Sequence, residues 1–301
     1  MADKPSRALV LYGDGLARDL DSSAYTGNLH SLASFSCCGF LSLPNAPVAE
    51  TEDERIVREF ALLLDSCDQY TSESFPVTSL SERFMGMKTT VITSNAGLKS
   101  FCKTLGVAVF QLDELTPTEL SANALTYELL KLLGFEGGQT LDSSPYDLVF
   151  VHVGAGEASK ESAINMEYVN GMVYCILQAV RPGSAVGSRL HFSLLMSYGC
   201  VSDNDRAKLS IETPQNEKNP TLSAVYPCQS FMMRGEQLRK DVRLYCPMLI
   251  AQWQYAVTRK DLAKTFSFDE FKQRGGNLVI PVDRFLHEVA FKLWKAPKYG
   301  A

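Results

Sequence analysis

No Cys-x-x-Cys pair occurs in the 301 residues, no apolar run reaches membrane-spanning length, and histidine is scarce, with four in all. The first absence excludes a zinc or disulfide framework, whose cysteines come in clustered spacings. Apart from the adjacent Cys37 and Cys38, the eight cysteines are scattered, several inside apolar runs such as "VYCILQAV" and "RLYCPMLIAQW". They read as buried reduced thiols. The second absence excludes a transmembrane helix. An excess of positive charge is also missing: the formal net charge is −5, which argues against general affinity for nucleic acid or anionic membrane. Neither "GDGLAR" nor "GAGEAS" completes the G-x-G-x-x-G of a dinucleotide-binding turn. The opening "MADKPSRALVLYGDG" passes from a polar lead into a strand without the apolar core of a signal peptide, so a cytoplasmic or nuclear protein is expected.

With 46% apolar and 21% charged residues, the chain has globular composition and material for a sizeable core. Short β-rich runs alternate with helix-length amphipathic segments. Strands are expected at about 8–12, 89–93, 107–111, 147–153 and 190–196, with "PMLIAQWQYAVT" as a further one. Among the helices, "ERIVREFALLLDSC" sets Ile56, Val57, Phe60, Leu63 and Leu64 on one face. "KESAINMEYVNGMVYCILQAVR" turns Met166, Val169, Val173 and Ile176 inward, and "AGLKSFCKTLG" is closed by Gly106. "PTELSANALTYELLKLLG" has Pro117 near its start and Gly134 past its end. Such alternation implies an α/β fold, a mostly parallel sheet with helices on both faces, whose sites lie at the carboxyl ends of strands. "GDG" and "VHVGAGEAS" both begin where a strand would end.

Four stretches in order carry a family resemblance: "LVLYGDGLA" with "LHSLASFSCCGFLSLPN", then "ERFMGMKTTVITSNAGLKSFCKTLGVAVFQL", "YDLVFVHVGAGEASKESA" and "RLHFSLLMSYG". Together they resemble the archaeal-type cofactor-independent phosphoglycerate mutases of the alkaline phosphatase superfamily, over roughly residues 7 to 230. The resemblance implies an alkaline-phosphatase-like core and a site of two divalent metals, held by Asp and His, that activate a Ser or Thr nucleophile. Asp14 matches the first aspartate ligand. At the Asp and His of the third stretch stand Glu157 and Glu161, and at the Asp-His pair of the fourth stand Tyr198 and Gly199. A later histidine would fall near "AVYPCQSF", which has none. His30, His152, His191 and His287 read as structural, since none follows a strand end. Thr51 is the hydroxyl nearest the nucleophile position, but Thr51 with Glu54 also reads as a helix capping box. The family's cap domain is lacking; residues 66–82, rich in Ser and Thr, replace it as an expected flexible surface connection.

The whole chain is thus expected to form one alkaline-phosphatase-like domain whose site, Asp14, Thr51, Glu157 and Glu161, is vestigial, with no metal and no cofactor. Its expected role is that of a non-catalytic module that binds a protein partner. Two alternatives stay open: a divergent metal-dependent phosphotransferase or phosphohydrolase with all-carboxylate ligands, and a binder of a small phosphorylated ligand through the backbone amides of "GDGLA" or "GAGEAS". Residues 277–301 form a C-terminal helix, about 282–294, and tail. Phe285, Leu286, Val289, Leu293 and Trp294 form an apolar stripe; Phe285, Leu286 and Val289 are expected to dock on the body, and Trp294, Lys295, Lys298 and Tyr299 to meet the partner.

Overall fold

The computed structural model describes residues 5–67, 78–115, 121–154, 159–201, 208–211, 230–234, 236–257, 259–275 and 278–297. An eight-stranded sheet runs through it in the order β12-β2-β11-β8-β1-β7-β3-β4. The strands are β1 (Arg7–Asp14), β2 (Cys37–Pro44), β3 (Thr89–Ile92), β4 (Ala108–Phe110), β7 (Leu148–Gly154), β8 (Leu190–Met196), β11 (Val242–Gln254) and β12 (Val279–Pro281). Two-residue hairpin strands, β5 (Phe135–Glu136) with β6 (Gln139–Thr140) and β9 (Met233–Arg234) with β10 (Gln237–Leu238), stand outside it. Only β11 runs against its neighbours, pairing antiparallel with both β2 and β8. The α/β fold expected from the sequence is therefore the observed one, and the five strands expected first all form.

Cys37–Pro44, for which the sequence suggests no strand, becomes β2. Its small residues allow a close approach: a Cβ on Gly39 would stand 2.6 Å from the Leu278 carbonyl oxygen. The seven described cysteines are free, but only Cys38, Cys102 and Cys246 are buried, and Cys200 is exposed.

Because strand side chains alternate, each central strand feeds two cores. Leu9 and Leu11 of β1, Val149, Val151 and Val153 of β7, and Phe192 and Leu194 of β8 face one core. It is closed by α1 (Gly27–Phe35), α6 (Ala122–Leu132), α7 (Ser159–Ala179) and α9 (Phe268–Arg274). Met166, Val169, Val173 and Ile176 of α7 are all fully buried there, as their spacing predicts. Ala8, Val10 and Tyr12, Leu148 and Phe150, and Leu195 face the other core. Its helices are α2 (Glu52–Leu63), α3 (Leu80–Arg83), α4 (Ala96–Thr104) and α10 (Phe285–Lys292). The remaining short helices are α5 (Leu112–Leu115) and α8 (Ala185–Arg189).

Several helix boundaries follow their caps. Helix α6 begins after Ser121, whose side chain accepts from the Ala124 N–H, so Pro117 precedes it outside the described residues. Gly106 and Gly134 end α4 and α6 with positive φ, as the sequence suggests. Of the connection at 66–82, residues 68–77 lie outside the described residues. Ser79 caps α3 through a capping box with Glu82, and Leu80 is buried. The C-terminal helix is a 3-10 turn at Val282–Arg284 followed by α10.

Candidate functional site

The alternation that sorts the cores also builds the site. Tyr12 and Asp14 continue the α2-facing series of β1, His152 continues Leu148 and Phe150 in β7, and Ser197 follows Leu195 just past β8. In the parallel register Asp14 lies beside Gly154, so β1 and β7 end together. These side chains form a polar layer at the carboxyl edge of the sheet, the position expected for a site in such a fold. Gly15 then adopts φ 74°, a left-handed turn that glycine takes without strain. Its N–H donates to Ser197 Oγ over 2.9 Å, and Ser197 donates on to Asp14 Oδ1 over 2.8 Å.

What meets Asp14 from the other side is Arg55 of α2. Its Nη1 donates to Oδ1 at 2.9 Å and its Nη2 to Oδ2 at 3.0 Å, a bidentate pair. The same guanidinium donates from Nη1 to Glu59 Oε2 at 2.8 Å, and from Nε and Nη2 to the two Glu52 oxygens, each at 2.8 Å. Glu59 is fully buried, and Arg55 and Asp14 nearly so. Arg58, also buried, pairs with Glu50 at 2.5 Å. The Tyr12 hydroxyl donates to Asp14 Oδ1 at 3.2 Å and lies 3.5 Å from Glu59 Oε2. The inward face of α2 is thus charged at Arg55, Arg58 and Glu59 and apolar only beyond them. Ile56 and Val57, expected to face inward, are half-buried.

The electrostatics follow from this geometry. Burial alone would raise the Asp14 carboxyl. The facing His152 ring and the Arg55 guanidinium outweigh it and hold the group well below the usual carboxylate range. Burial works against the charge on Arg55, but Glu52, Asp14 and Glu59 overcome it, so the guanidinium holds its proton more firmly than it would in water. Burial raises the Glu59 carboxyl, with Arg55 opposing and Asp14 adding to the rise.

His152 belongs to this layer, although its place inside a strand reads as purely structural from sequence. Its Nδ1 lies 3.0 Å from Thr93 Oγ1, and its Nε2 stands 3.6 Å from Asp14 Oδ2, beyond hydrogen-bond length. Thr93, His152 and Asp14 follow the order of a nucleophile relay. Thr93 is fully buried and its hydroxyl already accepts the Asn95 N–H, so it has no face for a substrate.

Thr51 takes the other role its letters allow. Its Oγ1 accepts the Glu54 N–H at 3.3 Å while Glu54 accepts the Thr51 N–H at 2.8 Å, a complete capping box at the start of α2. Glu157 lies outside the described residues, and Glu161 is in α7 with its side chain likewise outside them. Trp294 is 65% exposed. Lys295 is bound to the body through Asp147, Nζ to Oδ2 3.3 Å. Lys298 and Tyr299 lie outside the described residues. The other histidines hold structure: His30 Nδ1 accepts the Phe266 N–H, His191 Nε2 contacts Ser193 Oγ, and His287 Nε2 contacts the Pro297 carbonyl.

Comparison of the sequence with protein-family models and with curated proteins finds no match. Comparison of the fold with solved structures does. The PH0037 protein of Pyrococcus horikoshii matches with a TM-score of 0.59 and 14% identity, over 100% of both chains. The cofactor-independent phosphoglycerate mutase of Thermoplasma acidophilum matches with a TM-score of 0.52 and 11% identity, over 96% of this chain and 99% of that one. The fold is alkaline-phosphatase-like. A third match with this alkaline-phosphatase-like fold is the lipoteichoic acid synthase LtaP of Listeria monocytogenes, with a TM-score of 0.51 and 10% identity over 99% of this chain and 74% of that one. The two divalent metals that the sequence resemblance implies for such a fold do not fit the described residues. Both oxygens of Asp14, the one matched ligand, are taken by Arg55. Among the described residues no three His, Cys, Asp or Glu side chains are grouped to hold a metal.

Proposed function

We propose that the chain is a non-catalytic interaction or regulatory module built on an alkaline-phosphatase-like fold, acting in the cytoplasm or nucleus on a protein partner. The observation that carries this reading is the bidentate Arg55–Asp14 pair. It fills the position where metal-assisted phosphoryl transfer would need an open carboxylate. Thr51, the candidate nucleophile, is committed to its cap. The decisive assay is hydrolysis of phosphomonoesters by the purified chain with added Mn2+. No turnover above that of Asp14→Ala is expected, and turnover abolished by that substitution would overturn the reading.

A second reading, binding of a small phosphorylated ligand, is favoured by a cavity of about 340 Å³ directly after the "GDGLA" turn. Arg18, Lys208, Tyr198 and Ser267 line it, with Asp21 and Asp269 of opposite charge. Arg18 donates to the Tyr198 carbonyl, which fixes one cation at the rim. Titration with inorganic phosphate and with phenyl phosphate tests it: binding lost in Lys208→Ala supports this reading, and no binding removes it.

A further inference from the structure

Three carboxylates converge on one cation in this protein. Every N–H of Arg55 that points to Asp14, Glu52 or Glu59 lies in the plane of the guanidinium, and the five contacts span 2.8 to 3.0 Å. Two further buried polar atoms border this cluster without a hydrogen-bond partner: His152 Nε2, 3.6 Å from Asp14 Oδ2, and Glu59 Oε1, which has Arg58 Nη2 at 3.9 Å. All five N–H donors of Arg55 are already engaged, so the guanidinium cannot serve these two atoms as well, whereas a metal cation can take further ligands. His152 is already steered for such a role, because Thr93 holds its Nδ1 and leaves Nε2 as the open ring nitrogen. Metal–oxygen bonds to small divalent cations are about 2.0–2.2 Å. The guanidinium therefore keeps these oxygens farther from their common centre than a metal would.

We propose that Arg55 is a permanently charged, covalently attached replacement for a divalent cation. It holds Asp14, Glu52 and Glu59 in a cation-bound arrangement, so that the fold needs no metal. With Arg55 in place, no three of the described His, Cys, Asp or Glu side chains are grouped to hold a metal; when the Arg55 side chain is removed, these oxygens and His152 close on a cation of the Mn2+ class. Because a guanidinium does not lose its proton, the replacement holds at every physiological pH. The proposal deepens the non-catalytic reading and borrows from it only the absence of a working metal centre. Its readout is metal binding and melting: failure of Arg55→Ala to gain from the metal would leave that reading untouched, whereas Mn2+ binding to wild type through Asp14 would count against both.

The test compares wild type, Arg55→Ala, Arg55→Lys and the double variant Arg55→Ala/Asp14→Asn by thermal melting and by calorimetric titration with MnCl2. Wild type should keep its melting temperature in EDTA and in excess Mn2+, with no binding heat. Arg55→Ala should melt lower, bind a single Mn2+ per chain and recover most of the lost melting temperature as Mn2+ is added. If Arg55→Ala is unfolded when isolated, refolding from urea should succeed with Mn2+ and fail with EDTA. Arg55→Lys, which keeps a cation in place, should stay folded and bind none, and the double variant should not respond to Mn2+. The proposal is overturned if wild type or Arg55→Lys binds Mn2+ through Asp14. It is equally overturned if Arg55→Ala gains neither binding, stability nor refolding from the metal.

Discussion

Arg55 and Asp14 share one hydrogen-bonded charge pair with almost no access to water; removing Arg55 leaves buried carboxylates without their cation, whereas removing Asp14 still leaves Arg55 paired with Glu52 and Glu59. Truncating Arg55 to Ala should cost about 3–5 kcal/mol in urea unfolding, because Asp14 and Glu59 remain buried without their cation. Asp14→Ala should also destabilise, and the double variant should lose less than the sum by about 0.5–3 kcal/mol. Strictly additive losses would show that the pair is not coupled. His191 offers a second test. Burial first, and then the charge of Lys292, push its imidazole well below the usual histidine range. The folded protein therefore keeps His191 neutral while the unfolded chain takes up a proton below about pH 6.5. Stability from this group is full above that pH and falls as pH drops toward the folded value, by at most about 1.4 kcal/mol per pH unit. His191→Gln should flatten the slope between neutral pH and pH 5, and an unchanged slope would contradict the assignment. His30, also pushed down by burial, contributes equally to both proteins and cancels in the comparison. At this scale Asp14 and the Thr51–Glu54 cap were legible because each obeys a local rule, strand end or capping box. Arg55 was not, since a charge on an inward helical face contradicts the usual pattern. The signal was present all the same: 55, 58, 59, 62 and 63 fall at core spacing, with Leu62 and Leu63 completing the stripe.

The C-terminal helix shows how an element can divide its roles. Phe285, Leu286 and Val289 are fully buried against the α2 side of the sheet, Phe285 meeting Phe150 edge-on at 6.2 Å. Leu286→Ala should therefore cost about 2–5 kcal/mol. Trp294, past the end of the helix and exposed, should change stability by no more than about 0.5 kcal/mol when replaced by Ala. A large thermal loss on Trp294→Ala would place it in the fold rather than on a surface for a partner. The amphipathic spacing of α10 made its docking readable. Strand β2 escaped because "CCGFLSLP" mixes small and apolar residues with little alternation, and both its faces are buried. Its identity depends on β11 and β12, whose partner residues lie about two hundred and more positions away, and local propensity does not report such pairing.

Across the whole molecule, the sheet centre is covered on both faces while β4 and β12 lie at its edges. Amides of Leu9–Tyr12 should exchange only on global opening, and those of β4 and β12 much faster. Equal protection throughout the sheet would contradict this ordering. Alternating strands and helices announced a parallel sheet correctly, because each βαβ unit is a local event. The reversed β11 was not foreseeable, since a direction within a sheet is fixed by neighbours and not by the strand's own residues.

The central place of β1 also bears on how the chain is made. This strand leaves the ribosome well before its two sheet neighbours, which begin at residues 148 and 190. At about 5–20 residues per second, the second neighbour follows roughly 10–35 s later. Until Leu148–Gly154 emerges, "LVLY" presents two unpaired edges and two apolar faces, and one edge stays open until Leu190–Met196 follows. Cotranslational folding of the sheet centre therefore cannot begin with β1, and the nascent chain would profit from a holdase until Leu190–Met196 has emerged.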